Sequence, residues 1–368
     1  MSGLHTIHLS GSPRSRGQQY GEGLRAAIIA RDAAWKEQIA QHSGLTPGIF
    51  IERHLQSTDY LSATRRWTPD LVEEIEGLAE GSGLDFAHVF AAQLMDEEWL
   101  FWGTLEKPHH CSALASARPG FALAAQNMDL PCWMNGSQTL LRITGESGLE
   151  SLVLTVAGMI GLCGMNSAGL GVVVNTLSEL PSASDGLPVA FVSRALLQRA
   201  SLAEARDFLL AVPHAAGQNY VLAGRDWVED YECSAEGKAR FIAPAAQGFA
   251  VWHTNHPLAG GRSVHIQEVE ATGGVANSLA RMATLDTRLG PAGGAVTMEA
   301  ARAALCSCDH PQYPVSRAFE AHSHHGFTFA SVIWELAPQL LAHVAPGPPH
   351  TIPSTLHKFN AGLRQAAE

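Results

Sequence analysis

The chain has 368 residues, 46% of them hydrophobic and 16% charged, with a formal net charge of −11. That composition fills a sizeable core and excludes a disordered chain, and the acidic balance argues against a nucleic-acid partner, which needs a basic face. No run of 18 uncharged apolar residues occurs and residues 1–16 hold no apolar stretch, so neither a membrane span nor a signal peptide is expected, and a cytoplasmic location is the default expectation.

A turn cluster, Gly11-Ser12-Pro13-Arg14-Ser15-Arg16-Gly17, leads into a helix reaching about Gln41, with Leu24, Ile28, Ile29 and Trp35 at helical spacing. Thr68 reads as an N-cap with Pro69 at the first helical position. The helix it opens carries Leu71, Ile75, Leu78 and Ala79 on one face, and Gly81 and Gly83 close it. A short helix over 85–94 follows. The acidic cluster Asp96-Glu97-Glu98 behind it reads as a solvated helix end.

After Cys111 the texture changes. Strand-like runs at 121–125, 140–143, 152–156, 171–176, 220–223, 239–242 and 249–253 are separated by Gly and Asn turns. Met165-Asn166-Ser167-Ala168-Gly169 reads as a hairpin turn. Helical pieces fall at 189–210, 276–289 and 298–305, and a last hairpin joins 327–336 to 340–344 across Pro338. Hairpins mean antiparallel sheets, and helices in two blocks mean sheets covered by helix layers. The fold class is therefore α+β, and a single integrated domain over 1–368 is expected.

Six cysteines, Cys111, Cys132, Cys163, Cys233, Cys306 and Cys308, include no C-x-x-C pair, so neither a disulfide framework nor a zinc site is read. Cys306-Ser307-Cys308, with His310 behind, is too isolated for a metal. His322-Ser323-His324-His325 reads as a polar loop. Cys111, in His109-His110-Cys111-Ser112, is either a buried structural thiol or a nucleophile. A nucleophile needs a base, a holder for developing negative charge and a fixed substrate. With eighteen histidines, counting identifies no base. His253-Thr254-Asn255-His256-Pro257 ends an apolar strand, where an Asn can donate its amide to an oxyanion.

The order and spacing of several motifs resemble the acyl-coenzyme A:6-aminopenicillanic acid acyltransferase-like (C45 peptidase-like) family of N-terminal nucleophile hydrolases. They are Gly11-Ser12-Pro13 with Gly17 and Tyr20-Gly21; Glu74-Ile75-Glu76-Gly77-Leu78-Ala79-Glu80-Gly81; Cys111-Ser112; Gln126-Asn127-Met128-Asp129; Gly164 to Leu170 with Asn175; His253-Thr254-Asn255-His256; and the closing 329–333 and 345–349. The resemblance implies an αββα four-layer sandwich that matures by cutting its own His110–Cys111 bond. A helix-rich segment, 1–110, and a β segment, 111–368, would then stay associated.

The new Cys111 α-amine would serve as base to its own thiol. An α-amine titrates near about 7.7–8.0, suited to that task at neutral pH. By the same resemblance Asn255 supplies the oxyanion donor, and Asp129 holds the cysteine's surroundings. Arg317, after Ser316, approaches the thiol and favours thiolate. Ser112, Asn127, His253 and His256 form the neighbourhood. No cofactor and no metal are implied.

Two positions depart from the pattern. His110 stands where the best-known members carry Gly, and Ala113 stands where the penicillin enzyme carries a hydroxyl, which counts against penicillin-type substrates. The expected activity is hydrolysis of a small N-acyl or aminoacyl amide through a Cys111 thioester. The alternatives are acyl transfer to an amine and, in another class, a catalytically inactive ligand-binding member.

Overall fold

Most strands bury consecutive side chains, so each sheet has two buried faces, and both are covered. The structure, a computed structural model, describes residues 3–102, 110–241, 250–259, 275–290, 296–321 and 326–359. His109, the outer ends of the expected strands at 242 and 249, and the His322-Ser323-His324-His325 cluster lie outside them.

One sheet has eight strands: β1 (His5–Ser10), β4 (Gln138–Thr144), β5 (Glu150–Val156), β6 (Cys163–Asn166), β7 (Gly171–Thr176), β8 (Gln218–Ala223), β9 (Val228–Cys233) and β10 (Lys238–Phe241), adjacent in that order. The other has six, in the order β11 (Ala250–His253), β2 (His110–Arg118), β3 (Phe121–Leu130), β12 (Phe327–Ala337), β13 (Leu341–Ala345) and β14 (Thr355–Lys358). Every pairing is antiparallel except β1 with β4.

The helices are α1 (Pro13–Gly23), α2 (Arg25–Ser43), α3 (Pro47–Gln56), α4 (Tyr60–Trp67), α5 (Pro69–Ser82), α6 (Phe86–Ala91), α7 (Met95–Trp102), α8 (Val189–Leu196), α9 (Leu202–Ala211), α10 (Ala276–Leu289) and α11 (Met298–Leu305). Leu71, Ile75 and Leu78 of α5 and Phe191 and Leu196 of α8 pack on the outer face of the eight-stranded sheet. Leu285 of α10 and Ala301 and Leu305 of α11 pack on Leu114, Leu123, Trp252 and Ile333 of the six-stranded sheet. Between the sheets lie Ala113, Ala115, Ala117, Ala122 and Ala124, opposed by Leu152, Leu154, Val173 and Val221. The layers run helix, sheet, sheet, helix: the αββα sandwich that the resemblance implied.

Glycine fixes the tightest contact in the helical layer. A Cβ on Gly17 of α1 would lie 1.9 Å from Glu74 O, and one on Gly77 of α5 would lie 2.0 Å from Arg14 O. Only hydrogen fits at either position, so the E-x-x-G-x-A-x-G pattern is a helix-crossing device. Glu74, buried in that crossing, is paired with Arg16 at 2.9 Å and Arg194 at 3.3 Å.

Several expectations need correction. Asp96-Glu97-Glu98 does not end a helix in solvent; it opens α7 and is buried. Burial is offset by donors that need acceptors: Thr176 Oγ1 donates to Asp96 at 2.7 Å, Val189 N at the start of α8 to Glu97 at 2.9 Å, and Trp35 Nε1 to Glu98 at 2.9 Å. Pro69 opens α5 as expected, but the Thr68 hydroxyl bonds Thr64 O at 3.2 Å instead of capping. The helix expected to reach Gln41 breaks at Leu24. The one expected over 189–210 divides in two, with Ser201 capping the second at Glu204 N, 3.2 Å. Among the described residues no helix is long and apolar enough to cross a membrane.

Candidate active site

Cys111 is the second residue of β2, whose sequence alternates two faces. Cys111, Ala113 and Ala115 point between the sheets, whereas Ser112 and Leu114 point to the outer helix layer. The pairing of His253 with Ala113 sets the register of β11 against β2. Two residues further along, in opposite directions, that register brings Asn255 beside Cys111. The Cys111 backbone N–H donates to Asn255 Oδ1 at 2.8 Å. Asn255 Nδ2 donates to Thr176 O at 3.0 Å, and the Asn255 backbone N–H to Ser278 Oγ at 2.7 Å.

Arg281, on α10, is fully buried and completes this arrangement. Its Nη1 donates to the Cys111 carbonyl oxygen and to Ser112 Oγ at 3.0 Å, and its Nη2 to Asn255 Oδ1 at 2.9 Å. Nε is held by Asn277 Oδ1 at 2.7 Å, one helical turn back. Burial lowers the guanidinium to about 10, against the opposing pull of Asp129 and Cys111. Sequence reasoning missed this residue. The available signal was a lone charge on the buried stripe of an amphipathic helix, between Ser278 and Leu285.

Asp129, on β3, lies at the same end of β2, paired with His110. Its Oδ1 accepts from Thr328 Oγ1 at 2.7 Å, and Thr328 Oγ1 accepts in turn from the Arg317 backbone N–H at 2.9 Å. Burial pushes the Asp129 carboxyl up to about 6, opposed by Arg281, Thr328 and Arg317. Arg317 thus reaches the site through its backbone and its charge. Its guanidinium bonds Gln312 O at 3.5 Å, and the guanidinium that hydrogen-bonds Cys111 is that of Arg281.

Asn127 lies on the outer face, where its amide donates to Leu305 O at 2.7 Å and Val315 O at 2.9 Å; it ties the end of α11 to β3, away from the thiol. His253 bonds Glu232 Oε1 through Nε2 at 3.2 Å and Thr254 O through Nδ1 at 2.6 Å. Burial opposes its charge, but the Glu232 bond and the nearby Asp230 outweigh it and hold His253 above its ordinary pKa. His256 bonds Ser278 Oγ at 2.8 Å, and burial pushes it down to about 4. Both histidines brace the turn that carries Asn255. The Cys111 thiol itself is pushed up to about 12, by burial first and Asp129 second, while Gln126 and Arg281 act the other way. Among the described residues no group of three or more His, Cys, Asp or Glu is placed to hold a metal.

The fold is a four-layer αββα sandwich with a cysteine at the start of an inner strand, the arrangement that the resemblance to N-terminal nucleophile hydrolases implied. The chain belongs to the acyl-coenzyme A:6-aminopenicillanic acid acyl-transferase family, whose pattern matches residues 117–348. Asp129, Asn255, Arg281 and Arg317 fall inside that span, and Cys111 lies just before it. The chain is similar to the 40 kDa form of acyl-coenzyme A:6-aminopenicillanic-acid-acyltransferase of Emericella nidulans, 28% identical over 196 residues, and spans about half (53%) of that relative's length and 53% of its own. Among solved structures it is similar to penicillin V acylase from Agrobacterium tumefaciens (14% identity, TM-score 0.38, 68% of this chain and 86% of that one). It is also similar to a variant of conjugated bile acid hydrolase from Clostridium perfringens (14% identity, TM-score 0.41, 68% of this chain and 97% of that one).

Proposed function

We propose that this protein is an amide-bond hydrolase acting on a small N-acyl or aminoacyl amide, with Cys111 as nucleophile, matured by cutting its own chain between His110 and Cys111. The observation that carries this reading is the 2.8 Å contact between the Cys111 backbone nitrogen and Asn255 Oδ1, since that nitrogen is the atom that becomes the catalytic amine.

In maturation the Cys111 sulfur attacks the His110 carbonyl carbon, the thiol proton passes to the Cys111 nitrogen, and that nitrogen leaves, giving a thioester and a free α-amine. Water cleaves the thioester to a His110 carboxylate and a free thiol. In turnover the α-amine takes the thiol proton, sulfur attacks the substrate carbonyl, and the tetrahedral oxyanion is met by Asn255 Nδ2–H. The α-ammonium returns its proton to the leaving amine, and water hydrolyses the acyl-enzyme. Asn255 Oδ1 accepts an amine N–H and so orients the lone pair. Arg281 and Asp129 fix the ends of β2 and balance charge around it.

Transfer of the acyl group to an amine is the second reading, favoured by the name of the matching family and of the fungal relative.

Intact mass with N-terminal sequencing tests maturation. Fragments of residues 1–110 and 111–368, the second starting Cys-Ser-Ala-Leu, are expected, and an active uncut chain overturns the free-amine mechanism. A labelled amide incubated with and without a competing amine tests the reaction. Product acid in both incubations supports hydrolysis, and a new amide formed only with amine supports transfer.

A further inference from the structure

Gln126 makes an unusual connection. It is fully buried on β3, on the face between the sheets. Its side chain crosses to the other sheet, where Nε2 donates to Val174 O at 2.6 Å and Oε1 accepts from Val174 N at 3.2 Å. That two-point pairing is what a neighbouring strand would offer Val174. On the β6 side of β7 the register of Gly164 with Val172 would put residue 162 opposite Val174, and β6 begins only at Cys163. One side-chain amide from the opposite sheet therefore fills the place of a missing ladder partner.

The position of this strut is also specific. Gln126 pairs with Ala113 and Met128 pairs with Cys111, so Gln126 is the diagonal neighbour of the nucleophile on the same face. A long side chain spans that diagonal. Val174 O takes one of the two Nε2 hydrogens, which leaves a second donor on a nitrogen that cannot rotate away. The Gln126 amide is the leading influence favouring thiolate at Cys111, ahead of Arg281.

We propose that Gln126 positions and polarises the nucleophile: by substituting for a strand partner of Val174 it fixes the gap between the sheets at Cys111 and holds a neutral N–H donor on the sulfur. A neutral donor suits a buried thiol. It stabilises the thiolate without adding a charge that must itself be buried. The inference rests on Cys111 being the nucleophile.

The test is the pH dependence of Cys111 alkylation by iodoacetamide, mapped to Cys111 by peptide mass, on the chain as purified. Alkylation reads the thiol whether or not any amide is turned over, so this inference and the proposed activity fail separately. Gln126→Met removes both the strut and the donor. Gln126→Glu keeps an acceptor for Val174 N but places a carboxylate beside the sulfur. The control is Gln138→Met. Gln138 also crosses between the sheets, its Nε2 donating to Phe329 O at 3.1 Å, without the diagonal relation to Cys111.

At pH 8 alkylation should slow about tenfold in Gln126→Met and further in Gln126→Glu, with the titration midpoint moved up by about one pH unit. Gln138→Met should lower the melting temperature and leave the midpoint unmoved. If the Gln126 variants melt lower but titrate as the wild type does, Gln126 is a strut only and the proposal is wrong. Should Gln126→Met fail to fold, Gln126→Glu alone decides.

Discussion

The Cys111 backbone N–H donates to Asn255 Oδ1 at 2.8 Å, and an Arg281 N–H meets the same oxygen at 2.9 Å. Two donors on one oxygen settle which end of the Asn255 amide faces Cys111. Nδ2 must then lie on the other side, where Thr176 O takes one of its hydrogens at 3.0 Å. The second hydrogen is the one that the proposed mechanism offers to an oxyanion.

Asn255→Asp separates the two ends of this amide. The acceptor for the Cys111 nitrogen survives and the donor is lost. Cleavage at His110–Cys111 should persist, while kcat for amide hydrolysis falls by about 10²–10³, the usual loss for one oxyanion donor. Intact mass and steady-state kinetics read the two effects. An unchanged kcat with a raised KM would assign Nδ2 to substrate binding instead.

Arg281 and Arg317 should respond very differently to truncation. Arg281→Met strands the Cys111 carbonyl and Ser112 Oγ, takes one of two donors from Asn255 Oδ1 and leaves Asp129 without its strongest cation. Breaking such a buried charged network costs about 3–5 kcal/mol. Arg317→Met gives up one 3.5 Å bond to Gln312 O, and the backbone N–H that binds Thr328 remains. Its loss should stay under about 1 kcal/mol. Urea unfolding of both variants checks the order, and equal losses would contradict it.

That contrast marks where the sequence stops being legible. Asn255 stands out in a short motif at the end of an apolar strand and Cys111 through the ordered motifs that resemble the family, and the β11–β2 register joins them. The helix over 276–289 is read from its periodicity alone. That its one inward charge reaches Cys111 depends on α10 lying across β2, a tertiary fact with no local signal. β2 itself escapes strand reading because Ala and Ser dominate it and its partners supply the stability. Asp96-Glu97-Glu98 misleads for the opposite reason. Charge clusters are usually solvated, and the donors that permit burial, from Thr176, Val189 and Trp35, come from elsewhere in the chain.

Gly77→Ala tests the helix crossing directly. The new methyl would sit 2.0 Å from Arg14 O, a backbone atom that cannot move without shifting α1. In an open helix the same change would stabilise by about 1 kcal/mol. Here the clash should reverse the sign and cost at least about 3 kcal/mol, or prevent folding. Gly48→Ala, in α3 with nothing within 4 Å of the added methyl, is the matched control and should be neutral or stabilising. Thermal melts compare the two.

Stability should peak near neutrality, because two sets of buried groups pull in opposite directions. Burial raises Asp129 to about 6 and Asp230 to about 7, and it raises Glu97 as well, with the neighbouring Asp96 adding to it. In the unfolded chain these carboxyls titrate near about 4. The native state therefore binds more protons between those values. The stability so gained is complete below pH ~4 and is lost as pH rises through the native values. His54, His214 and His256 work the other way. Burial lowers each to about 4, against about 6.5 unfolded, so their contribution is complete above pH ~6.5 and is lost as pH falls toward 4. The two slopes should cross between about pH 6 and 7. Denaturant midpoints at acidic, near-neutral and alkaline pH should be highest in the middle. Glu97→Gln keeps an acceptor for Val189 N and should flatten the alkaline limb. His54→Leu, at a site where neither ring nitrogen finds a partner among the described residues, should flatten the acid limb. A midpoint that climbs steadily from neutral to alkaline pH would show that the buried carboxylates do not titrate as their burial requires.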